Sequence, residues 1–269
     1  MDYNNVFDTN APPPEPSERE SESYFNHCSK VDLHATGPII DIGKIVSIAA
    51  EHSFRGIVTD STNLVEIAKE INRPNYGDKA ILPICLIDHP FGNSSIAVRI
   101  FSIYDAKEKG AREIEIFAPK NKLETKDFKG IHEDIMSINS ACERVGIAYK
   151  YVYPAEDNDE QSKTRICRSL SVAKTEFITT ISEFDYKNRQ VDNSDSIIRM
   201  RNIKNKTNSK VKAFLHSGDI STVTAFFKAG VDIIGLPWQK APNLIHGYEY
   251  LLNNDAQNTE QDPPLEQAS

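Results

Sequence analysis

Acid–base chemistry needs a carboxylate or imidazole beside a second proton-carrying group, and this chain puts several such side chains where predicted strands end. Glu115 lies in the strand-like run 113–117. His216 follows the run 211–215, and Asp88 and His89 follow the run 80–87. Asp60 follows the run 56–59, and Asp32 and His34 belong to the short run that begins at Val31. Tyr153 closes the run 148–153, and Thr179 sits inside the run 177–181. One reading makes Glu115 a general base or acid, with His216 or His89 as its partner and Tyr153 as a donor. A variant uses Asp88, His89, Glu115 and His216 to hold a divalent metal that polarises a carbonyl. No two histidines stand at HxH or HxxxH spacing, so neither a metal nor another cofactor is expected. Taken singly, an aspartate or histidine at such a junction is more often a turn or cap residue, Asp60 and Asp88 above all.

The elements that carry these residues alternate in type. Apolar runs of strand length are followed by stretches with helical spacing, as in Ile39–Glu51, where Ile42, Ile45, Val46 and Ala49 share a face. Thr62 is expected to cap the helix of residues 63–71, and Ser194 the helix of residues 194–202. Gly110, Gly146 and Gly230 follow the helices 95–109, 132–145 and 222–229 and read as left-handed stops. The pattern gives eight strand–helix units between residues 31 and 251, the pattern of a TIM (β/α)8 barrel. An open doubly wound sheet is the alternative, weakened because no G-x-G-x-x-G follows the first strand.

The chain has 269 residues, 39% hydrophobic and 26% charged, enough for a buried core. Its net charge of -8 is unevenly placed: residues 1–24 carry -5 and residues 252–269 carry -4, so the body between them is at +1. The first tail contains Pro12, Pro13, Pro14 and Pro16 among Ser and acidic residues, and the second contains Pro263 and Pro264. Such composition buries too little apolar surface to offset ordering entropy. The expected organisation is therefore a disordered acidic tail over 1–24, a barrel over 25–252 and a second disordered acidic tail over 253–269.

Several function classes fall away. Cys28, Cys85, Cys142 and Cys167 form no CxxC pair and read as free thiols of a reducing compartment. The first residues lack a cationic stretch followed by an apolar one, and no apolar run approaches the ~20 residues that span a bilayer. The expectation is a cytoplasmic protein without membrane contact. The basic residues Arg199, Arg201, Lys204, Lys206, Lys210 and Lys212 read as a solvated helix end. No aromatics interleave with them, so nucleic-acid binding is not expected. A protein partner meeting the acidic tails or the barrel mouth, or a second copy of the chain, remains open.

The motif order carries a family resemblance. ILPICLIDHPFGNSS at 81–95, YDAKEKGAREIEIFAP at 104–119, FITTIS at 177–182, AFLHSGDIST at 213–222 and DIIGLPW at 232–238 follow one another at suitable spacing. Over about residues 29–251 the chain resembles deoxyribose-phosphate aldolase, a class I aldolase of TIM-barrel fold. The resemblance implies a Schiff base on a strand-6 lysine, a second lysine on strand 7 that lowers the first one's pKa, and an acid on strand 4. The matching positions here are Thr179, Leu215 and Glu115. Tyr153 replaces a strand-5 glutamate. The implied phosphate loops are altered as well: Glu183 and Asp219 stand for glycines, Gly218 remains, and Pro237 and Trp238 replace small residues.

Other lysines are expected to miss the site. Lys174 and Lys212 lie toward the barrel bottom; Lys120, past strand 4, is the exception that could reach the mouth from a loop. Lys150 points at the helices if Tyr149, Tyr151 and Tyr153 point inward. Asp32, Asp60, Asp88, His89, Gly218, Asp219 and Trp238 are then the candidate ligand-binding residues. The expected function is a non-catalytic binding or scaffold module, a pseudo-aldolase. The alternative is a repurposed lyase that uses Glu115 with His216 or His89 on a non-phosphorylated carbonyl substrate.

Overall fold

A computed structural model describes residues 27–38, 41–76, 80–153, 159–180, 202–216, 218–248 and 250. Both expected tails, Glu183 and all but the last residue of the expected helix 194–202 lie outside them. The elements alternate: β1 (Val31–Ala35), α1 (Ile42–Glu51), β2 (Gly56–Asp60), α2 (Ser61–Ile71), β3 (Leu82–Ile87), α3 (Ile96–Glu108) and β4 (Glu113–Phe117). Then come α4 (Lys120–Glu124), α5 (Phe128–Val145), β5 (Ala148–Val152), α6 (Glu160–Val172), β6 (Phe177–Thr179), β7 (Lys210–Phe214), α7 (Ile220–Lys228) and β8 (Ile233–Pro237). Residues 241–248 are also helical. The eight strands are parallel, pair in chain order and close when β8 meets β1, with Asp32 opposite Gly235. This is the expected TIM barrel. Among the described residues, no helix is long and apolar enough to cross a membrane.

Side-chain alternation sorts each strand into two faces. Ile57, Cys85, Ile114, Ile116, Tyr149, Tyr151, Ile178, Val211, Ala213 and Ile234 pack outward with helix residues in two large clusters. A third, smaller cluster lies within the barrel: Val58, Ile84, Leu86, Phe117 and Val152. The four cysteines are buried and none is in a disulfide. Burial pushes the thiols of Cys85 and Cys142 up to about 12, which leaves them protonated and inert.

Caps fix the helix ends. Asp41, Ser95, Asp127, Asp159 and Asp219 each accept a backbone N–H in the first turn of the helix that follows. The expected Thr62 cap is not used. That helix starts at Ser61, with Asp60 in the cap position making no side-chain cap bond. Gly110, Gly146 and Gly230 all have positive φ and stop their helices as expected. At Gly146 (φ 62°) an added Cβ meets nothing within 4 Å, so the glycine is needed for its backbone alone. Gly146→Ala should therefore lower the urea-unfolding free energy by about 1 kcal/mol, and Gly146→Asn by less. Equal stability of all three proteins would show that the left-handed conformation carries no cost here.

Candidate functional site

The barrel interior holds ionisable groups that alternate along the strands. On β4 they are Glu113 and Glu115, on β5 Lys150, and on β7 Lys212. Strand β1 adds Asp32 and His34, and Arg55 enters from the residue before β2. Register places Glu115 beside Lys150 and Thr179 beside Lys212. Lys150, Lys212 and Asp32 are wholly shielded from solvent, and Glu115 is 1% exposed.

The contacts link these groups into one network. Lys212 Nζ donates to Asp32 Oδ2 at 2.9 Å and to Glu115 Oε1, and lies 3.0 Å from His34 Nε2. Lys150 Nζ donates to Glu113 Oε2 and lies 3.5 Å from Asp32 and 3.7 Å from Glu115. Arg55 bridges the far side, donating to Asp32 Oδ1 at 2.7 Å and to Glu113 Oε1. Three carboxylates thus face three cations. Each buried charge costs several kcal/mol to desolvate and is tolerable only when paired and hydrogen-bonded. The Phe177 ring lies beneath Lys150, 5.6 Å from its Nζ, adding a cation–π contact.

The electrostatics follow from this pairing. Burial alone would raise the Asp32 carboxyl, but Lys212, Lys150 and Arg55 outweigh it and hold the group well below the usual carboxylate range. Burial alone would lower the Lys150 amine, but Asp32, Glu115 and Glu113 outweigh it and raise the amine. Gly235 makes room for the network. A Cβ there would meet His34 Nε2 at 2.8 Å and Lys212 Cε at 2.9 Å.

The structure corrects several placements expected from sequence. Tyr149, Tyr151 and Tyr153 point outward into the helix-facing cluster, not into the barrel. Tyr151 donates to Asp134 of α5, and Tyr149 lies 2.8 Å from the Thr175 hydroxyl. Tyr153 is therefore outside the interior site, and Lys150 points into it. Leu215 also packs outward. The interior lysine of β7 is Lys212, three residues earlier, at the middle of the barrel and not its bottom. Arg199 and Arg201 of the basic region lie outside the described residues, and its described members do not form a solvated face without acids. Lys204, Lys206 and Lys210 pair with Asp232, Glu160 and Glu176 at 3.0, 3.0 and 3.1 Å.

The remaining candidates scatter. Glu115 is held by Lys212 and Lys150, and neither His216 nor His89 joins it. Both histidines are exposed, with the His89 ring edge-on to Phe117 at 5.2 Å. Asp60 accepts from the Gly37 N–H at 2.6 Å, and Asp88 from the Ser94 N–H and hydroxyl at 3.1 and 2.7 Å. Both serve turns, as does the cap Asp219. Gly218 has the main chain at Lys240 pressed against it, which leaves no space for a side chain. Trp238 opens a short 3-10 turn and packs on the outer cluster beside β1, away from the barrel interior. Thr179 faces inward beside Lys212, yet its buried hydroxyl has no hydrogen-bond partner among the described residues. Among those residues, no three His, Cys, Asp or Glu side chains are grouped to hold a metal.

Sequence reasoning missed Arg55, Glu113, Lys150 and Lys212 as one unit. The usable signal was the period-two charge in EIEIF, AYKYV and KVKAF. Phasing β5 from the tyrosines reversed its faces.

No family model matches the chain. The deoxyribose-phosphate aldolase of Treponema denticola is 26% identical over 204 residues, covering 76% of this chain and 87% of that one. The chain is thus similar, along most of its length, to deoxyribose-phosphate aldolases. The aldolase of that name from Finegoldia magna is 24% identical over 218 residues, covering 80% of this chain and 95% of its own. Among solved structures, the deoxyribose phosphate aldolase of Aeropyrum pernix superposes with a TM-score of 0.69 at 19% identity, over 88% of this chain and 100% of that one. An aldolase designated QR15 gives 0.68 at 17% identity, over 83% and 98%. Both share the barrel fold.

Two outcomes test the network. Lys150→Met leaves carboxylates unpaired and should cost about 3–5 kcal/mol of stability. Adding Glu113→Gln to it should recover much of that loss. Absence of recovery would mean that the charges do not compensate one another. The pH profile has a worked sign. Asp32 titrates below its unfolded value, so its contribution is complete above about pH 4 and lost as pH falls. Lys150 titrates above its unfolded value, so its contribution is complete below about pH 10.5 and lost as pH rises. Urea midpoints should form a plateau with shoulders on both sides. A stability that rises on acidification below pH 4 would contradict the pairing.

Proposed function

We propose that this aldolase-like barrel forms no imine and serves as a non-catalytic binding or scaffold module. The observation that carries the reading is the state of the interior amines. An imine-forming lysine needs a neutral amine within reach of a carbonyl. The strand-6 position where the resemblance places that lysine is Thr179, whose hydroxyl cannot form an imine. Lys212 and Lys150 remain inside, but each is fully buried and committed to carboxylates. Strand 7 does carry a lysine, Lys212, but three residues before Leu215, the position that matches the family's second lysine.

Packing supports the same reading. Val58, Ile84, Leu86, Phe117 and Val152 fill the β2–β5 side of the interior, each no more than 8% exposed. Glu115 is tied to both lysines, so the acid–base pair with His216 or His89 has no geometric support. The reading places the protein in the cytoplasm, with a protein partner meeting the acidic tails or the barrel mouth. The Aeropyrum pernix structure is described as tetrameric, which supports self-association of this chain as well.

Incubation with a short aldehyde and borohydride should leave the intact mass unchanged. A reduced adduct on Lys150, Lys212 or any other lysine that forms stoichiometrically would overturn the reading.

A further inference from the structure

At the end of the barrel opposite the mouth, a cavity of about 410 Å³ opens beside the starts of β3 and β4. It lies between the last turn of α2 and the turn that joins α3 to β4. Ile71, Pro74, Ile81 and Pro83 give it an apolar wall. Among the described residues that line it, the charged ones are Arg73 and Arg112. Its size falls in the roughly 300–1,000 Å³ range of small-molecule sites. The two guanidinium groups are not consumed by the helix ends beside them. A basic residue near a helix C-terminus commonly covers the last carbonyls, but here those carbonyls are served otherwise. In α2, Asn72 Nδ2 donates to the Ala68 carbonyl at 2.7 Å, and the backbone N–H of Arg73 donates to that of Glu70 at 3.1 Å. At the end of α3, the backbone N–H groups of Lys109, Gly110 and Ala111 take the carbonyls of Asp105, Lys107 and Ala106.

We infer that this cavity binds a small organic monocarboxylate, with the carboxylate on Arg112 and Arg73 and an apolar body against the wall. Charge sets the sign and the count. Arg73 Nε is paired with Glu70 at 3.1 Å, a unit of no net charge. Lys109, close by in sequence, is likewise paired with Asp105 at 2.7 Å. Arg112 is exposed and has no carboxylate partner among the described residues. The cavity therefore holds one uncompensated positive charge. One monoanion balances it, and a dianion would leave an excess. Strand phase aims the charge. Glu113 faces into the barrel, where it meets Lys150, so alternation turns Arg112 outward to the cavity side. Geometry favours the class of anion. A planar guanidinium fork takes both oxygens of a carboxylate, in charge-assisted bonds roughly twice as strong as neutral ones. The apolar wall selects the rest of the ligand. A bare inorganic anion leaves that wall wet, whereas an apolar body covers it and gains from its burial.

Isothermal titration calorimetry of the full chain with benzoate tests this, with benzamide, its neutral isostere, and inorganic phosphate as comparison ligands. Benzoate should saturate a single site in the millimolar range or tighter. Benzamide should bind about tenfold more weakly or worse, and inorganic phosphate should not displace benzoate at equal concentration. Arg112→Gln should weaken benzoate by about tenfold or more, and Arg112→Lys, which keeps the charge without the fork, by less. Ala80→Trp, at an exposed position that lines the cavity, should fill it and abolish binding. Arg168→Gln, at an exposed position on α6, should leave the affinity unchanged. All four variants should keep the thermal midpoint of the parent protein. Absence of saturable benzoate binding would overturn the inference. So would equal binding of benzamide, displacement by inorganic phosphate at equal concentration, or binding that survives both Arg112→Gln and Ala80→Trp. The borohydride result is independent of these outcomes, since the cavity shares no lining residue with the charged network of the barrel interior.

Discussion

Six charges inside a closed barrel are stable only as a set. Asp32, Glu113 and Glu115 face Arg55, Lys150 and Lys212, and each partner is held by at least one direct ion pair. Removing any one leaves an unpaired charge in a place that water does not reach. The constraint spreads outward from there. Gly235 has to remain without a side chain, because Lys212 and His34 occupy the space beside it. The strand register has to hold, because a shift by one residue would send Glu113, Glu115, Lys150 and Lys212 together into the apolar helix layer.

The same set bears on the chemistry proposed for the barrel. A nucleophilic amine and a compensated ammonium use the same side chain in different surroundings. Lys212 and Lys150 sit where a barrel enzyme could place reactive groups, but both are buried and paired with carboxylates. Under the proposed reading, a threonine at position 179 goes with a polar interior that serves as a structural core.

Much of the architecture was legible in residue order. The strand–helix alternation, the stops at Gly110, Gly146 and Gly230, and the turn roles of Asp60 and Asp88 all follow from local chemistry. The extra turn α4 and the true start of α2 were not legible, because capping preferences shift by one or two residues at little cost. The site was legible only in part. Tyr149, Tyr151, Tyr153 and Lys150 were all assigned to the wrong face of strand β5. Strand alternation has two phases, and a strand buried on both sides, such as AYKYV, gives no local clue to which is inner.

By itself the sequence determined the number and order of the elements and the presence of charges at alternate positions in β4, β5 and β7. It also determined the absence of a lysine at Thr179. Only the tertiary structure decided which face each strand turns inward, and hence that Lys150, Lys212 and Arg55 meet Asp32, Glu113 and Glu115. These partners are separated by up to 180 residues in the chain. Pairing over such distances depends on barrel closure and register, which no local spacing encodes.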